Sequence, residues 1–301
     1  METWKRTVYI SLVCVFCTAF GVSQLAPILP LYFHDLGVQT PEAMSLWSGL
    51  ATGATYIIVC LAAPFWGRVA DKKGRKITLI RSSFGMALCN ILIAFQTTPE
   101  GVVLIRLVQG LVSGFYSASI TLIASESPIE RTGWALGLLA SANLAGSLIG
   151  PLLGGYIADT VGIRNDFIIV GALMGLAGVL ATIFIHENYV PQPNPEKLSI
   201  RKLKEQIPEF NSIVALCVAS FIYAICIMSL QPVISVYIKG IVPSDTENLA
   251  FIAGAVFSAM GIAQLMSSSP LGKLVDKIGP RKVLVVSLIY VGILNIPQAY
   301  V

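Results

Sequence analysis

A short charged sequence occurs twice in this chain, as GRVADKKGRK at residues 67–76 and as GKLVDKIGPRK at 272–282. One constant separation relates residues inside the two copies and residues well outside them. The pairs are Gly67 and Gly272, Asp71 and Asp276, Gly74 and Gly279, Gly49 and Gly254, Pro27 and Pro232, and Tyr32 and Tyr237. A separation that holds over so long a stretch indicates that the chain contains two copies of one structural unit.

The composition is that of a membrane protein. Hydrophobic residues make up 55% of the 301 residues and charged residues only 12%, about half the share usual in soluble proteins. The sequence therefore predicts an all-α integral membrane protein, with nine apolar runs (spans 1 to 9) of about the length that crosses a hydrocarbon core. The runs cover 7–33, 44–66, 77–97, 101–124, 133–158, 165–186, 212–238, 250–271 and 283–300.

Basic residues predict the orientation. With a cytoplasmic N-terminus, sixteen of the 20 lysines and arginines fall in cytoplasmic segments, and only Arg164 and Lys239 fall in outer ones. Such an excess on the cytoplasmic side is typical of membrane proteins. The formal net charge of +4 is thus explained by topology and gives no reason to expect nucleic-acid binding. We expect a multi-pass protein of the cell membrane, embedded in the lipid bilayer.

The longest polar stretch predicts the domain organisation. Residues 1–186 are expected to form an N-terminal six-helix bundle, 187–211 a cytoplasmic linker, and 212–301 an incomplete C-terminal bundle of spans 7 to 9. The two histidines, His34 and His186, are predicted on opposite membrane faces, which disfavours a His-based metal site. The chain has no Gly-Lys-Ser/Thr phosphate-binding loop, which disfavours ATP-driven pumping.

The repeated charged sequence carries a more specific signal than orientation. Glycines allow a sharp turn and a close approach of spans 2 and 3, and Asp71 is predicted at the start of span 3, where the helix dipole favours a negative charge. A plain positive-inside loop is the alternative, but it does not explain why an acid recurs at Asp276. GRVADKKGRK resembles the signature loop of the major facilitator superfamily, which is implied to latch the cytoplasmic gate. In this chain, the resemblance implies the following gating residues: Gly67, Asp71, Gly74, Arg75, Gly272, Asp276, Gly279 and Arg281.

Span 5 contains GLLASANLAGSLIGPLLGG, from Gly137 to Gly155. Glycines four residues apart form a smooth helix face for a partner helix, and the proline predicts a kink. The alternative is that these glycines only allow helices to pack and have no further role. The pattern resembles the helix 5 motif of drug:proton antiporters of the superfamily, as distinct from its sugar symporters. The matching residues are Gly137, Gly146, Gly150, Pro151, Gly154 and Gly155.

Arg106 in span 4 is a cation within an apolar run, where a charge is costly unless it faces a cavity or a partner. Snorkelling to the headgroups is the alternative. Arg106, Gln109 and Gly110 resemble the family's helix 4 motif, whose arginine is implicated in proton coupling.

No acid is expected at the centre of a span. Asp35, at the outer end of span 1, and Glu126, at the inner end of span 4, come closest, so the proton carrier is left open.

A substrate cavity is expected from uncharged polar and aromatic residues within the spans, which suit bulky amphipathic compounds. Its candidate residues are Gln24, Tyr56, Gln109, Phe115, Asn143, Tyr223, Gln231 and Gln264.

The span 1 stretch GVSQLAPILPLYFHDLG resembles Gram-positive multidrug pumps that export fluoroquinolones and cationic dyes. The resemblance implies a proton-coupled multidrug efflux transporter of small amphipathic drugs or dyes, with the proton gradient as energy source and no cofactor. The family has twelve helices and this chain about nine, so we expect a C-terminal truncation. The chain would then be a non-functional fragment of a pump, or would need a separate chain carrying helices 10–12. A metabolite or sugar transporter is the alternative, and an enzyme is not expected.

Overall fold

A computed structural model describes residues 3–187, 189, 210–242 and 248–296, and within these ranges every regular element is an α-helix. The helices, numbered here in chain order, are α1 (Thr3–Ser23), α2 (Leu25–Asp35), α3 (Pro41–Lys73), α4 (Arg75–Ala94), α5 (Pro99–Val112), α6 (Phe115–Glu126), α7 (Ile129–Val161), α8 (Ile163–Phe184), α9 (Phe210–Ile241), α10 (Leu249–Ile278) and α11 (Pro280–Asn295). The predicted all-α membrane fold is confirmed, since eight of these helical stretches have the length and composition of membrane spans.

Two predicted spans are each divided into two helices. Span 1 is interrupted at Gln24, between α1 and α2. Pro27 explains the interruption, because it has no N–H group to donate to the carbonyl of Ser23. Span 4 is interrupted at Ser113 and Gly114, where Gly114 has φ +111°.

The boundaries predicted around the first charged sequence are wrong. α3 and α7 each have 33 residues and are about 50 Å long, well beyond the roughly 30 Å of a hydrocarbon core. Gly67 and Asp71 therefore lie inside α3 and not in a loop, and Asp71 is in the last turn of α3 instead of at the start of α4. The turn is Gly74 alone, with φ +92°.

The core of the first part of the chain consists of two apolar clusters. One joins α1, α4, α6, α7 and α8 around Cys14, Leu79, Leu122, Leu139 and Met174. The other joins α2 to its neighbours around Tyr32, Phe33 and Phe167. The Tyr32 hydroxyl donates to the carbonyl of Ile93 at 2.8 Å, which satisfies its buried polar group.

The chain forms two compact units, Met1–Phe257 and Ser258–Val301, so α10 contributes residues to both. The second unit contains the rest of α10 and all of α11. α11 has 16 described residues, and the end of predicted span 9 lies outside the described part. Most of the predicted linker 187–211 also lies outside it. The predicted domain boundaries stay predictions.

Candidate functional site

The first repeated turn is held in place by the residues that follow α8. The Glu187 carboxylate accepts hydrogen bonds from the backbone N–H groups of Arg75, at 2.7 Å, and Lys76, at 2.8 Å. These N–H groups begin α4, so they have no partner within the helix, and the helix dipole favours a negative charge beside them. The Tyr189 hydroxyl donates to the backbone carbonyl of Asp71. The start of the predicted linker is therefore attached to the predicted gating turn.

A cavity of about 360 Å³ adjoins this turn and is lined by Asp71, Arg75 and Arg81 among others. The Arg81 guanidinium lies 3.6 Å from the ring centroid of Trp66, a cation–π contact. It donates to the carbonyls of Leu111, at 3.1 Å, and Ser113, at 2.9 Å, at the interruption between α5 and α6. These contacts connect α3 and α4, the two helices that flank the predicted gating turn, to the end of α5, which carries Arg106. Arg81 and Trp66 were not among the predicted site residues, and no sequence pattern indicated that Arg81 contacts the interruption. Within the described ranges, Asp71 forms no ion pair with Arg75.

The same turn geometry occurs at two other places. In the second copy, Gly279 has φ +87° between α10 and α11, and Arg281 is exposed. Gly272 and Asp276 lie within α10, but the Asp276 side chain is outside the described residues. The third instance is Gly162, with φ +90° between α7 and α8, three residues after Asp159. This third Asp-x-x-Gly turn was visible in the sequence but was not among the predicted motifs.

Arg106 is only 6% exposed and lies inside the protein, so it does not snorkel to a membrane surface. Its Nη1 donates to Oε1 of Gln109 at 2.7 Å, while its Nε is buried without a partner among the described residues. α5 packs closely on α3 here, as shown by the clash that a Cβ on Gly110 would have with the carbonyl of Thr55.

The two acids predicted as proton carriers lie away from Arg106. Asp35 is exposed beside His34, and Glu126 ends α6, which places it roughly 30 Å along the span from Arg106.

The glycines of α7 serve two opposite contacts. Gly146 and Gly150 face the backbone of α1 around Phe16 and Phe20, and Gly154 faces the side chain of Gln24. At each position an added Cβ would clash with these groups, so only glycine permits this approach of the helices. On the other side, Gly155 faces the carbonyl of Ala250 in α10, and the carbonyl of Pro151 faces Gly254. Gly137 differs from the rest of the motif because its α-carbon faces open space.

Asp159 completes the contact between α7 and α10. Its carboxylate accepts hydrogen bonds from the backbone N–H groups of Ala250, at 3.1 Å, and Phe251, at 2.7 Å. The rings of Tyr156 and Phe251 meet edge to face, with centroids 6.4 Å apart. The carboxylate therefore caps the N-terminus of α10, where negative charge and hydrogen-bond acceptors are both favourable.

Asp166 is a fully buried acid that was not among the predicted site residues. It has 0% exposure in the first turn of α8. Its Oδ2 accepts a hydrogen bond from Nε2 of Gln24 at 2.9 Å, and its Oδ1 has no partner among the described residues. In the sequence it is the second residue of predicted span 6, close to the end of the apolar run.

An apolar cavity of about 860 Å³ lies between α3 and α9, with Tyr56, Phe221 and Met228 among its lining residues. Of the predicted cavity residues, only Tyr56 lines it. Gln24, Gln109 and Phe115 are buried in helix packing instead. Asn143 and Gln231 are half-buried, and Tyr223 and Gln264 are exposed.

A comparison of the sequence with models of protein families identifies the family of this chain. The model of the Major Facilitator Superfamily matches residues 11–297, nearly the whole chain. The chain belongs to the Major Facilitator Superfamily. With its membrane-length helices, this superfamily member is a multi-pass membrane protein, and its family points to transport and not to catalysis.

Proteins named "Multidrug resistance protein MdtG" are similar to this chain. The one from Salmonella dublin is 37% identical over 298 residues, which is 99% of this chain and 74% of that protein. The one from Proteus mirabilis is 37% identical over 300 residues, or 100% of this chain and 74% of that protein. The one from Dickeya zeae is 39% identical over 298 residues, or 99% and 73%.

Solved transporter structures support the superfamily fold. The structure of a bacterial homologue of the human lysosomal transporter Spinster has a TM-score of 0.69 at 13% identity and covers 93% of this chain. This chain spans 64% of the length of that homologue. A D-xylose-proton symporter has a TM-score of 0.64 at 15% identity, over 91% of this chain and 68% of the symporter. At such identities these structures bear on the fold alone.

Proposed function

We propose that this superfamily member is a proton-coupled multidrug efflux transporter of the cell membrane. The observation that carries the proposal is the 37–39% identity, over 99% or more of the chain, to proteins named for multidrug resistance. The α7 pattern supports the same assignment, since its glycines bring α7 into backbone contact with α1 on one side and with α10 on the other. A helix that packs this closely on two neighbours is suited to transmit their relative movement.

The substrates we propose are small amphipathic drugs or dyes, including the fluoroquinolones and cationic dyes suggested by span 1. The cavity between α3 and α9 has a volume of about 860 Å³ and a largely aliphatic and aromatic lining, with Tyr56, Phe221 and Met228. Ligand sites of about this size and apolar character accept drug-sized molecules. Flexible methionine and aromatic side chains can adapt to different shapes, as multidrug recognition requires.

The proton gradient is the proposed energy source, with Arg106 in the coupling machinery. Its guanidinium is buried, and Gln109 is its side-chain partner within the described residues. A buried cation is costly to maintain and marks functional positions in membrane proteins. We also propose that the N-terminus is cytoplasmic, as the distribution of basic residues implies.

The test is dye transport by the purified 301-residue chain in liposomes. An imposed proton gradient should drive accumulation of ethidium, and a protonophore should abolish it. Arg106→Gln removes the buried charge and should reduce driven accumulation by about tenfold or more. Arg131→Gln, an exposed cation in the first turn of α7, is the matched control and should transport normally. Correctly folded protein that accumulates no drug or dye, or that instead takes up radiolabelled sugar, would overturn the proposal.

A further inference from the structure

The contact between Asp166 and Gln24 lacks one hydrogen-bond donor. Gln24 Nε2 donates to Asp166 Oδ2 at 2.9 Å, but Gln24 Oε1 and Asp166 Oδ1 are both buried acceptors without a donor among the described residues. Buried polar atoms in proteins nearly always have a partner, because leaving one unpaired costs free energy. Adding one proton to the carboxyl group supplies the missing donor. The pair therefore has the hydrogen-bonding pattern of a site that exchanges a single proton.

Neighbouring charges do not satisfy this carboxylate. On α2, α7 and α8, the charged residues at this end and the hydroxyl of Tyr32 have other partners. On α2, Tyr32 donates to the carbonyl of Ile93, and the half-buried His34 lies beside the exposed Asp35. On α7, Asp159 accepts from the backbone N–H groups of Ala250 and Phe251. On α8, Arg164 donates to the carbonyl of Gln96. The end of α4 is the apolar sequence ILIA. Within the described ranges, no cation forms an ion pair with Asp166.

We propose that Asp166, positioned by Gln24, is the proton-binding residue of this transporter. The inference rests on the proposed function and names the acid that the sequence left open. In each cycle the ionised carboxyl group takes one proton from water on the outer side and becomes neutral. It then gives that proton to water on the cytoplasmic side and is ionised again, so charge and atoms balance.

The position of Gln24 explains how a change at this site would reach the rest of the molecule. Gln24 forms the interruption between α1 and α2, where the backbone can change direction. Its side chain rests against Gly154 of α7, with no space for even a Cβ between them. The adjacent Gly155 rests on Ala250 of α10, and Asp159 caps α10 one turn further on. A rearranged hydrogen bond at Gln24 would therefore act directly on the helix that joins α1 to α10.

Asp166→Asn is the informative variant. The amide is the same size as the carboxyl group, its oxygen can still accept from Gln24 and its NH₂ group can donate to Gln24 Oε1, so the variant mimics the permanently neutral acid. In proteoliposomes of the full chain, gradient-driven ethidium accumulation should fall by about tenfold or more. Ethidium-induced proton movement, followed with a trapped pH dye, should disappear. Exchange of labelled for unlabelled dye without a gradient should continue, because it needs no proton step. Glu100→Gln, at an exposed acid of α5, is the control and should keep all three activities.

Two transport results would overturn the inference. One is gradient-driven accumulation that persists in Asp166→Asn. The other is the loss of exchange together with driven transport in folded protein, which would assign Asp166 to substrate binding or structure. Infrared difference spectra between acidic and alkaline buffer provide a readout independent of transport. The unsubstituted chain should show a carboxylic-acid band that Asp166→Asn lacks, and absence of that difference would also refute the inference. If the band is present but no dye is ever transported, the proposed function fails while Asp166 remains a proton site.

Discussion

Asp159 caps the N-terminus of α10 by accepting a hydrogen bond from the backbone N–H of Phe251 at 2.7 Å. The two residues come from the helices that the sequence assigns to different copies of the repeated unit. The cap lies where α7 ends and α10 begins, next to the glycine contacts of Gly155 and Gly254. Its strength therefore depends on the relative position of two helix ends.

Removing this cap should loosen the start of α10. Asp159→Ala should speed hydrogen exchange at the amides of Ala250 and Phe251 by about 2- to 30-fold, which corresponds to the roughly 0.5–2 kcal/mol of a helix cap. Asp159→Asn should have a smaller effect because it keeps an acceptor oxygen. Thr160→Ala is the matched control, since the partners of its hydroxyl among the described residues, Tyr156 and Ile157, belong to its own helix. Equal exchange in all variants would contradict the capping role.

The glycines of the α7 motif should differ in their tolerance of alanine. Gly150→Ala would push a methyl group into the backbone of α1 at Phe20 and should lower the free energy of unfolding by about 1–3 kcal/mol. Gly137→Ala meets open space and removes a flexible residue from a helix, so it should be neutral or stabilising. Thermal unfolding of the detergent-purified variants distinguishes them. The idea of a packing face fails if both variants unfold at the same temperature.

The sequence predicted the spans well because the length of an apolar run is a local property. It placed the first turn poorly, since VADKK is compatible with a helix and nothing in its pattern shows that α3 continues to Lys73. The interruption at Gln24 was missed although Pro27 was a local signal for it.

The Asp166 site could not be found from the sequence in the same way. Asp166 is distant in sequence from Gln24, and each residue alone looks ordinary: an acid near a predicted span end and an amide within a span. Their contact depends on the packing of α1 against α7 and α8, which the glycine spacing suggested without identifying the partner helix. Arg106 was easier to predict from the sequence, because a cation in an apolar run is unusual whatever it contacts.

The contact of Glu187 with α4 should contribute to stability. Glu187→Ala removes the acceptors for the N–H groups of Arg75 and Lys76 and should cost about 0.5–2 kcal/mol. Glu187→Gln should cost less, because one acceptor oxygen remains. The measurement is the thermal unfolding temperature in detergent, with Glu130→Ala, an exposed acid in the first turn of α7, as the control. A loss no greater than that of the control would show that the cap is unimportant.

The two charged turns should face the same side of the membrane. Single cysteines at Lys73, which ends α3, and at Lys277, in the last turn of α10, should react with a membrane-impermeant maleimide only when the cytoplasmic face is exposed. A cysteine at Glu100, in the first turn of α5, should react from outside, because α4 lies between it and the first turn. The unsubstituted chain measures the background labelling of the native cysteines. Labelling of Lys73 and Lys277 from opposite faces would contradict the repeated unit, since copies related by a parallel repeat place equivalent turns on one side.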